Sequence, residues 1–280
     1  MVNENGEMSD QVHLAAGTPQ GSCMSPVLYL IFVNDLSEGF DQFGLKTSQY
    51  ADDVSLRATC DSSAAAANMV QKGLTSLETW CKKWQVAMNP SKSKLVLFTR
   101  CPRHKKEGAI DVKLFGESIP FAPEAEFLGV TFDSYLTWEA QTAKIVARAY
   151  TRLNLIRIVS GLTKEKNPTV LLKLYQSIIL SVYEYSSICL ISAAECHLEK
   201  LQLQQNQALR CILNLPAYVS IKDLHDASGI KLIKDHLIYF AQLRLRAMQV
   251  SSEIVKDSIL CFDQVQHIKT NCSPLDILIH

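Results

Sequence analysis

The sequence predicts an α+β chain in two parts, strands mixed with helices over 1–136 and an all-helical region over 137–280. Three observations predict it. Short apolar–polar alternations bounded by turn residues recur up to about residue 133. A single stripe at helical spacing, Val70, Leu74, Leu77, Cys81 and Trp84, interrupts them. After about residue 138 the apolar patterns become long and helical, with little glycine or proline inside them. The boundary is expected near 134–138.

The elements follow in order. The first 16 residues are polar and carry no apolar pattern. "GTPQG" (17–21) reads as a tight turn, and Ser25 as an N-cap with Pro26 at the first helical position. The apolar helix that follows is expected to end near Asp35. "TSQYADDVSL" (47–56) reads as a hairpin with Asp52 and Asp53 at its tip. A helix over 62–88 ends at Asn89-Pro90, and "KLVLFT" (94–99) reads as a strand. Two strands are expected around Gly116-Glu117, and "EFLGVTFD" (126–133) as one more. Helices are expected over about 138–160, 168–190, 195–213 and 233–250, separated by Gly161, Pro216 and Gly229.

Composition bounds the function. The chain has 280 residues, 48% of them hydrophobic and 20% charged, with a net charge of zero. That is a folded, globular mixture rather than a disordered one. The charges are unevenly placed. Residues 1–61 carry nine acids against Lys46 and Arg57, whereas 80–106 carry eight lysines and arginines and no acid. A second basic stretch runs from Lys144 to Lys173. Acids followed by basic segments suit a cation-dependent enzyme on a polyanion, but from charge alone solvated helix faces are the favoured reading.

Nine cysteines without a CxxC pair read as reduced thiols, which with no secretory leader in view implies an intracellular protein. Neither Cys189, Cys196 and His197 nor Cys261, His267 and Cys272 has zinc-site spacing. The most membrane-like window, 177–194, contains Glu184 and several serines and reads as a buried helix, so no membrane partner is expected. No GxSxG or HExxH arrangement supports a hydrolase.

Two carboxylates beside a turn are hard oxygen donors of the kind Mg²⁺ takes. Consecutive strand residues point to opposite faces, so Asp52 and Asp53 cannot both sit squarely in one site, and a further carboxylate is expected.

"YADD" (50–53), preceded by "GTPQGSCMSP" (17–26), resembles the catalytic and substrate-handling boxes of reverse transcriptases. "FVNDL" (32–36), "LETWCKKWQVAMNPSKSKLVLF" (77–98) and "FLGVTFDSYLTW" (127–138) resemble segments of the non-LTR, LINE-like retrotransposon branch. "YQSIILSVYEYSS" (175–187) and "LEKLQLQQNQALRCILNLP" (198–216) resemble its C-terminal helices. The resemblance covers about residues 11–240.

It implies a partial right-hand polymerase: later palm over 1–136, helical thumb and C-terminal region over 137–280. It implies Asp52 as the principal Mg²⁺ ligand with Asp53 assisting, and Tyr50 beside the primer end. Gly17, Pro19, Gln20 and Gly21 would lie against the incoming nucleotide and template; glycines let backbone approach a base pair without a Cβ between. Lys92 would protonate the leaving pyrophosphate, although a solvated lysine reads equally well. Phe127, Leu128 and Gly129 would form the primer grip, although an ordinary core strand uses the same residues. Trp80, Trp84, Trp138 and Tyr175 read as core rather than base-stacking platforms.

The implied partners are an RNA template, a DNA primer and deoxynucleoside triphosphates. Only 16 residues precede the "GTPQG" box, and none resembles the upstream palm strand with its catalytic aspartate. The expectation is therefore RNA-directed DNA polymerase ancestry, inactivity of this chain alone, and an upstream polypeptide as its complement. The alternative is a nucleic-acid- or protein-binding remnant using the basic thumb.

Overall fold

The computed structural model describes residues 21–99, 110–162 and 167–251, together with residues 3–4, 7–8, 17 and 276–277. The fold is α+β, with small antiparallel sheets rather than one large one. Strands β1 (Asn3–Glu4) and β2 (Glu7–Met8) form a short ladder. Helix α1 (Ser25–Phe32) follows. Its N-cap is Met24, one residue earlier than expected, and no side chain caps it; Pro26 still sits in the first turn. The helix stops three residues before Asp35, where Leu36 N–H bonds back to Val33 in a tighter turn.

Helix α2 (Glu38–Asp41) leads into the hairpin of β3 (Lys46–Tyr50) and β4 (Asp53–Arg57). Helix α3 (Ser63–Trp84) packs across it. Ser62 caps α3, its hydroxyl accepting from Ala65 N–H. Val70, Leu74, Leu77 and Cys81 are buried against Leu36, Phe40, Leu45, Val54 and Leu56. Each such side chain contributes about 1.5–3 kcal/mol of transfer free energy. Gln85 ends the helix in the left-handed conformation, four residues before the expected Asn89-Pro90 stop.

The expected strand over 94–99 is wholly buried from Leu95 to Thr99, yet among the described residues it makes one bridge, Leu95 with Phe121. The facing segment contains Pro120 and Pro123, which cannot donate to a ladder. Strands β5 (Lys113–Leu114) and β6 (Glu117–Ser118) flank a Phe115-Gly116 turn, close to expectation. The expected single strand over 126–133 is instead a hairpin of β7 (Glu124–Phe127) and β8 (Val130–Asp133). Leu128 and Gly129 both take positive φ, +48° and +75°, the geometry of a two-residue hairpin turn.

Helix α4 (Glu139–Leu162) runs through Gly161 instead of stopping at it. The expected helix over 168–190 is broken into α5 (Pro168–Tyr175), a π-helical turn (Gln176–Leu180), α6 (Ser181–Tyr185) and α7 (Ser187–Leu190). The π turn has a partner that accounts for it: Ile178 carbonyl accepts from Arg152 Nη1 on α4. Helix α8 (Glu195–Leu213) and helix α10 (Ile233–Ser251) match expectation. Helix α9 (Ile221–Ser228), capped by Ser220 and closed by Gly229, was not foreseen. A short β9 (Asp276–Ile277) pairs with β4.

One apolar cluster draws on 36–119 and another on 138–237, with Val130 and Phe132 packed onto the second. Tyr175 and Tyr183 are fully buried in the helical cluster, and burial pushes both phenols far up. No described helix is long and apolar enough to cross a membrane.

Candidate active site

The β3–β4 hairpin pairs Tyr50 with Asp53 and places Ala51 and Asp52 in the two-residue turn between them. Ala51 takes φ +52°, a region costly for any residue with a Cβ. The turn thrusts Asp52 into solvent, whereas Asp53, the first residue of β4, is half-buried. The two carboxylates thus occupy different positions at one tip, as the strand geometry requires. Tyr50 is 67% exposed beside them.

Helix α1 lies close to this tip. Burial, and then the charge of Asp52, raise the Tyr29 phenol pKa above its ordinary value. The same helix reaches α3 through an aromatic cluster: Phe32 meets Trp80 and Trp84 edge-on at 5.9 and 5.4 Å. Asp35 joins them, accepting from Trp80 Nε1 at 2.7 Å and Trp84 Nε1 at 3.3 Å. Those bonds, the Trp80 one foremost, hold its carboxyl below the usual range. Asp35 escaped the sequence reading, though its neighbours "FVNDL" and the i, i+4 tryptophans were its signal. The tryptophans are not all core: Trp138 is buried, Trp80 is half-buried and Trp84 is 38% exposed.

Gly17 and Gly21 both take φ +87°, and a Cβ built on either meets no atom within 4 Å. That backbone conformation itself favours glycine at both positions. Pro19 and Gln20 lie outside the described residues. Lys92 is exposed in the turn after α3, its own N–H bonded to Asn89 carbonyl. Phe127, Leu128 and Gly129 form the tip of the β7–β8 hairpin, all half-buried. The Tyr185 hydroxyl donates to Leu128 carbonyl at 2.5 Å, an anchor the sequence did not announce.

Three cations of the second basic stretch are engaged within the fold. Lys144 Nζ bonds Glu126 Oε2 and Thr131 Oγ1, both at 2.7 Å. Arg152 holds Ile178 carbonyl, and Arg157 holds Asn154 Oδ1 at 3.0 Å. Lys164 and Lys166 lie outside the described residues, as do Cys261, His267 and Cys272. Among the described residues, no three His, Cys, Asp or Glu side chains gather as a metal cluster. Asp52 and Asp53 supply the oxygen donors that suit a hard divalent cation, whose remaining positions water and phosphate can fill.

Residues 2–132, which include this hairpin, match the family described as reverse transcriptase (RNA-dependent DNA polymerase). The chain is similar to the reverse transcriptases of non-LTR, LINE-like retrotransposons. It is 28% identical over 244 residues to a probable RNA-directed DNA polymerase from transposon BS of Drosophila melanogaster, covering 85% of this chain and 26% of the relative. It is 27% identical over 261 residues to the RNA-directed DNA polymerase from mobile element jockey of Drosophila melanogaster, covering 89% and 27%. Against the jockey polymerase of Drosophila funebris the identity is 27% over 228 residues, covering 80% and 24%. The chain spans about a quarter of the length of the curated relatives it matches. No solved structure matches the chain significantly. The family generally uses divalent metals, which agrees with the donor chemistry of the hairpin tip.

Proposed function

We propose that this chain supplies the catalytic hairpin and primer-side elements of an RNA-directed DNA polymerase, with 1–136 as later palm and 137–280 as thumb and C-terminal helices. The observation that carries the reading is the hairpin itself, which presents Asp52 in a two-residue turn beside exposed Tyr50. Asp52 and Asp53 would hold Mg²⁺, which when bound stabilises the attacking and leaving oxygens of phosphoryl transfer. Tyr50 orients the primer end, and the "GTPQG" segment lines the nucleotide and template. Lys92 is the proposed proton donor to the leaving pyrophosphate. The substrates are deoxynucleoside triphosphates on an RNA template with a DNA primer.

The 280-residue chain alone is proposed to be inactive. Two adjacent carboxylates on different sides of a strand start are too few for two ions. Helix α1 supports the same reading. It is apolar and has no buried residue, with Leu30 60% and Ile31 69% exposed beside the hairpin. Such a surface is what a further polymerase segment, in the same or another polypeptide, would cover.

The test is extension of a DNA primer on an RNA template by purified chain with Mg²⁺. The expected result is no product above background. Robust synthesis that disappears in Asp52→Ala would overturn the inactivity and establish the carboxylate's role together. A binding-only remnant using the basic thumb finds less support, because three of its cations are engaged in internal contacts.

A further inference from the structure

The β7–β8 hairpin is held at both ends by different parts of the molecule. At its base, Ser134 N–H bonds Pro123 carbonyl to close the hairpin, while Thr99 N–H bonds Ser134 carbonyl and Ala125 packs with Val96 and Phe98, tying it to the preceding segment. Along β8, Gln141 Oε1 of α4 accepts Thr131 N–H at 2.9 Å. At its tip, α6 reaches both Leu128 and Gly129. Tyr185 OH donates to Leu128 carbonyl, and its ring lies 3.6 Å from where a Gly129 Cβ would stand. Tyr185 is itself secured from α10, where Arg244 Nη1 donates to its carbonyl at 3.1 Å and Arg244 lies over the Phe240 ring. The neighbouring Glu184 bonds His236 of the same helix at 2.8 Å.

Tyr185 is 52% exposed, so this arrangement is not a by-product of core burial. A two-residue turn with both residues at positive φ leaves the Leu128 carbonyl without a ladder partner of its own, and a phenol supplies one. We propose that Tyr185 is a positioning residue: it fixes the height of the Leu128–Gly129 turn and makes it follow α6 and α10. Its consequence for a primer end rests on the proposed function, in which Phe127, Leu128 and Gly129 face the primer. The clamp itself does not depend on that reading. Arg244, although cationic, acts here through Tyr185 rather than through phosphate.

The experiment compares the full chain with Tyr185→Phe and Arg244→Ala by amide hydrogen exchange, with and without an RNA–DNA hybrid whose primer ends in 4-thiothymidine. In Tyr185→Phe, exchange at 127–131 should quicken roughly five-fold, the effect of one lost hydrogen bond, while α4 amides keep their protection. Arg244→Ala should quicken the same amides. Affinity for the hybrid should stay within about two-fold of wild type, while photo-crosslinking of the primer terminus to 127–129 falls. Unchanged exchange at the turn in Tyr185→Phe overturns the clamp. Loss of α4 protection in step with the turn overturns it too, since Tyr185 would then merely hold the helices together. A wild-type chain that binds the hybrid without any crosslink at 127–129 sinks the primer-side reading, and the exchange comparison still decides the clamp.

Discussion

Asp35 is the residue whose surroundings most exceed what its sequence context suggests. One carboxylate accepts from two indoles and lies 3.8 Å from Lys83, joining the end of α1 to α3 beside the candidate active site. Its pKa is depressed in the fold, so its contribution is complete above the ordinary carboxylate value near 3.9 and fades as pH falls through the lower folded value. Asp35→Asn should therefore flatten the acid limb of stability below about pH 4 while changing its pH dependence little at neutrality. Urea titrations followed by tryptophan fluorescence at several pH values would show it; an unchanged acid limb would rule it out. The cysteines give a second residue-scale expectation. Burial pushes the Cys189 thiol up to about 11, whereas Cys23 and Cys196 are exposed. Maleimide at neutral pH should label Cys23 and Cys196 in the folded protein and reach Cys189 only on unfolding, as read by peptide mapping.

At the scale of elements, the close approach of α3 to Leu45, the residue before β3, depends on Gly73. A Cβ there would stand 2.3 Å from Leu45 Cδ1, and Leu45 is only 2% exposed, so it has little space to swing into. Gly→Ala inside a helix ordinarily stabilises by about 1 kcal/mol. Overpacking costs about 1–3 kcal/mol, so Gly73→Ala should lower stability on balance. A rise in the denaturation midpoint would contradict this. The same elements show what was legible beforehand. The α3 stripe and the 47–56 hairpin were readable because burial on one face and a tight turn leave periodic marks in the sequence. The 126–133 hairpin was not, because an apolar run containing one glycine looks like a strand until both Leu128 and Gly129 turn to positive φ. The 94–99 segment failed for the converse reason: its residues have strand character, but its prolines-bearing neighbour withholds the hydrogen bonds. The π turn depends on Arg152, 26 residues away, a contact no local pattern encodes.

For the whole molecule, the question is where the helical half begins. The sequence places the boundary at 134–138, where strands give way to helices, and the β7–β8 hairpin just before it is bound to both halves. Phe132 packs edge-on against Trp138 at 5.5 Å, and Val130 and Phe132 both border the helical cluster. Gln141 holds Thr131 N–H, Lys144 bridges Glu126 and Thr131, and Tyr185 holds Leu128. Asp133 accepts from the backbone N–H groups of Tyr135, Thr137 and Trp138, shaping the entry to α4. A fragment of residues 137–251 keeps the helices and discards all of these, whereas 121–251 keeps them. Four hydrogen bonds at about 0.5–1.5 kcal/mol each, the half-exposed Lys144–Glu126 pair at the low end, with Phe132 and Val130 burial added, make the hairpin worth more than about 3 kcal/mol to the helical half. The longer fragment should therefore unfold cooperatively with a higher denaturant midpoint, and the shorter one should melt broadly or at lower denaturant. Circular dichroism of both in urea distinguishes the cases. Equal midpoints would leave the boundary at 137 and make the hairpin a passenger of the first half. A higher midpoint for 121–251 would instead identify it as the joint through which movement of the helices reaches the turn at Leu128 and Gly129.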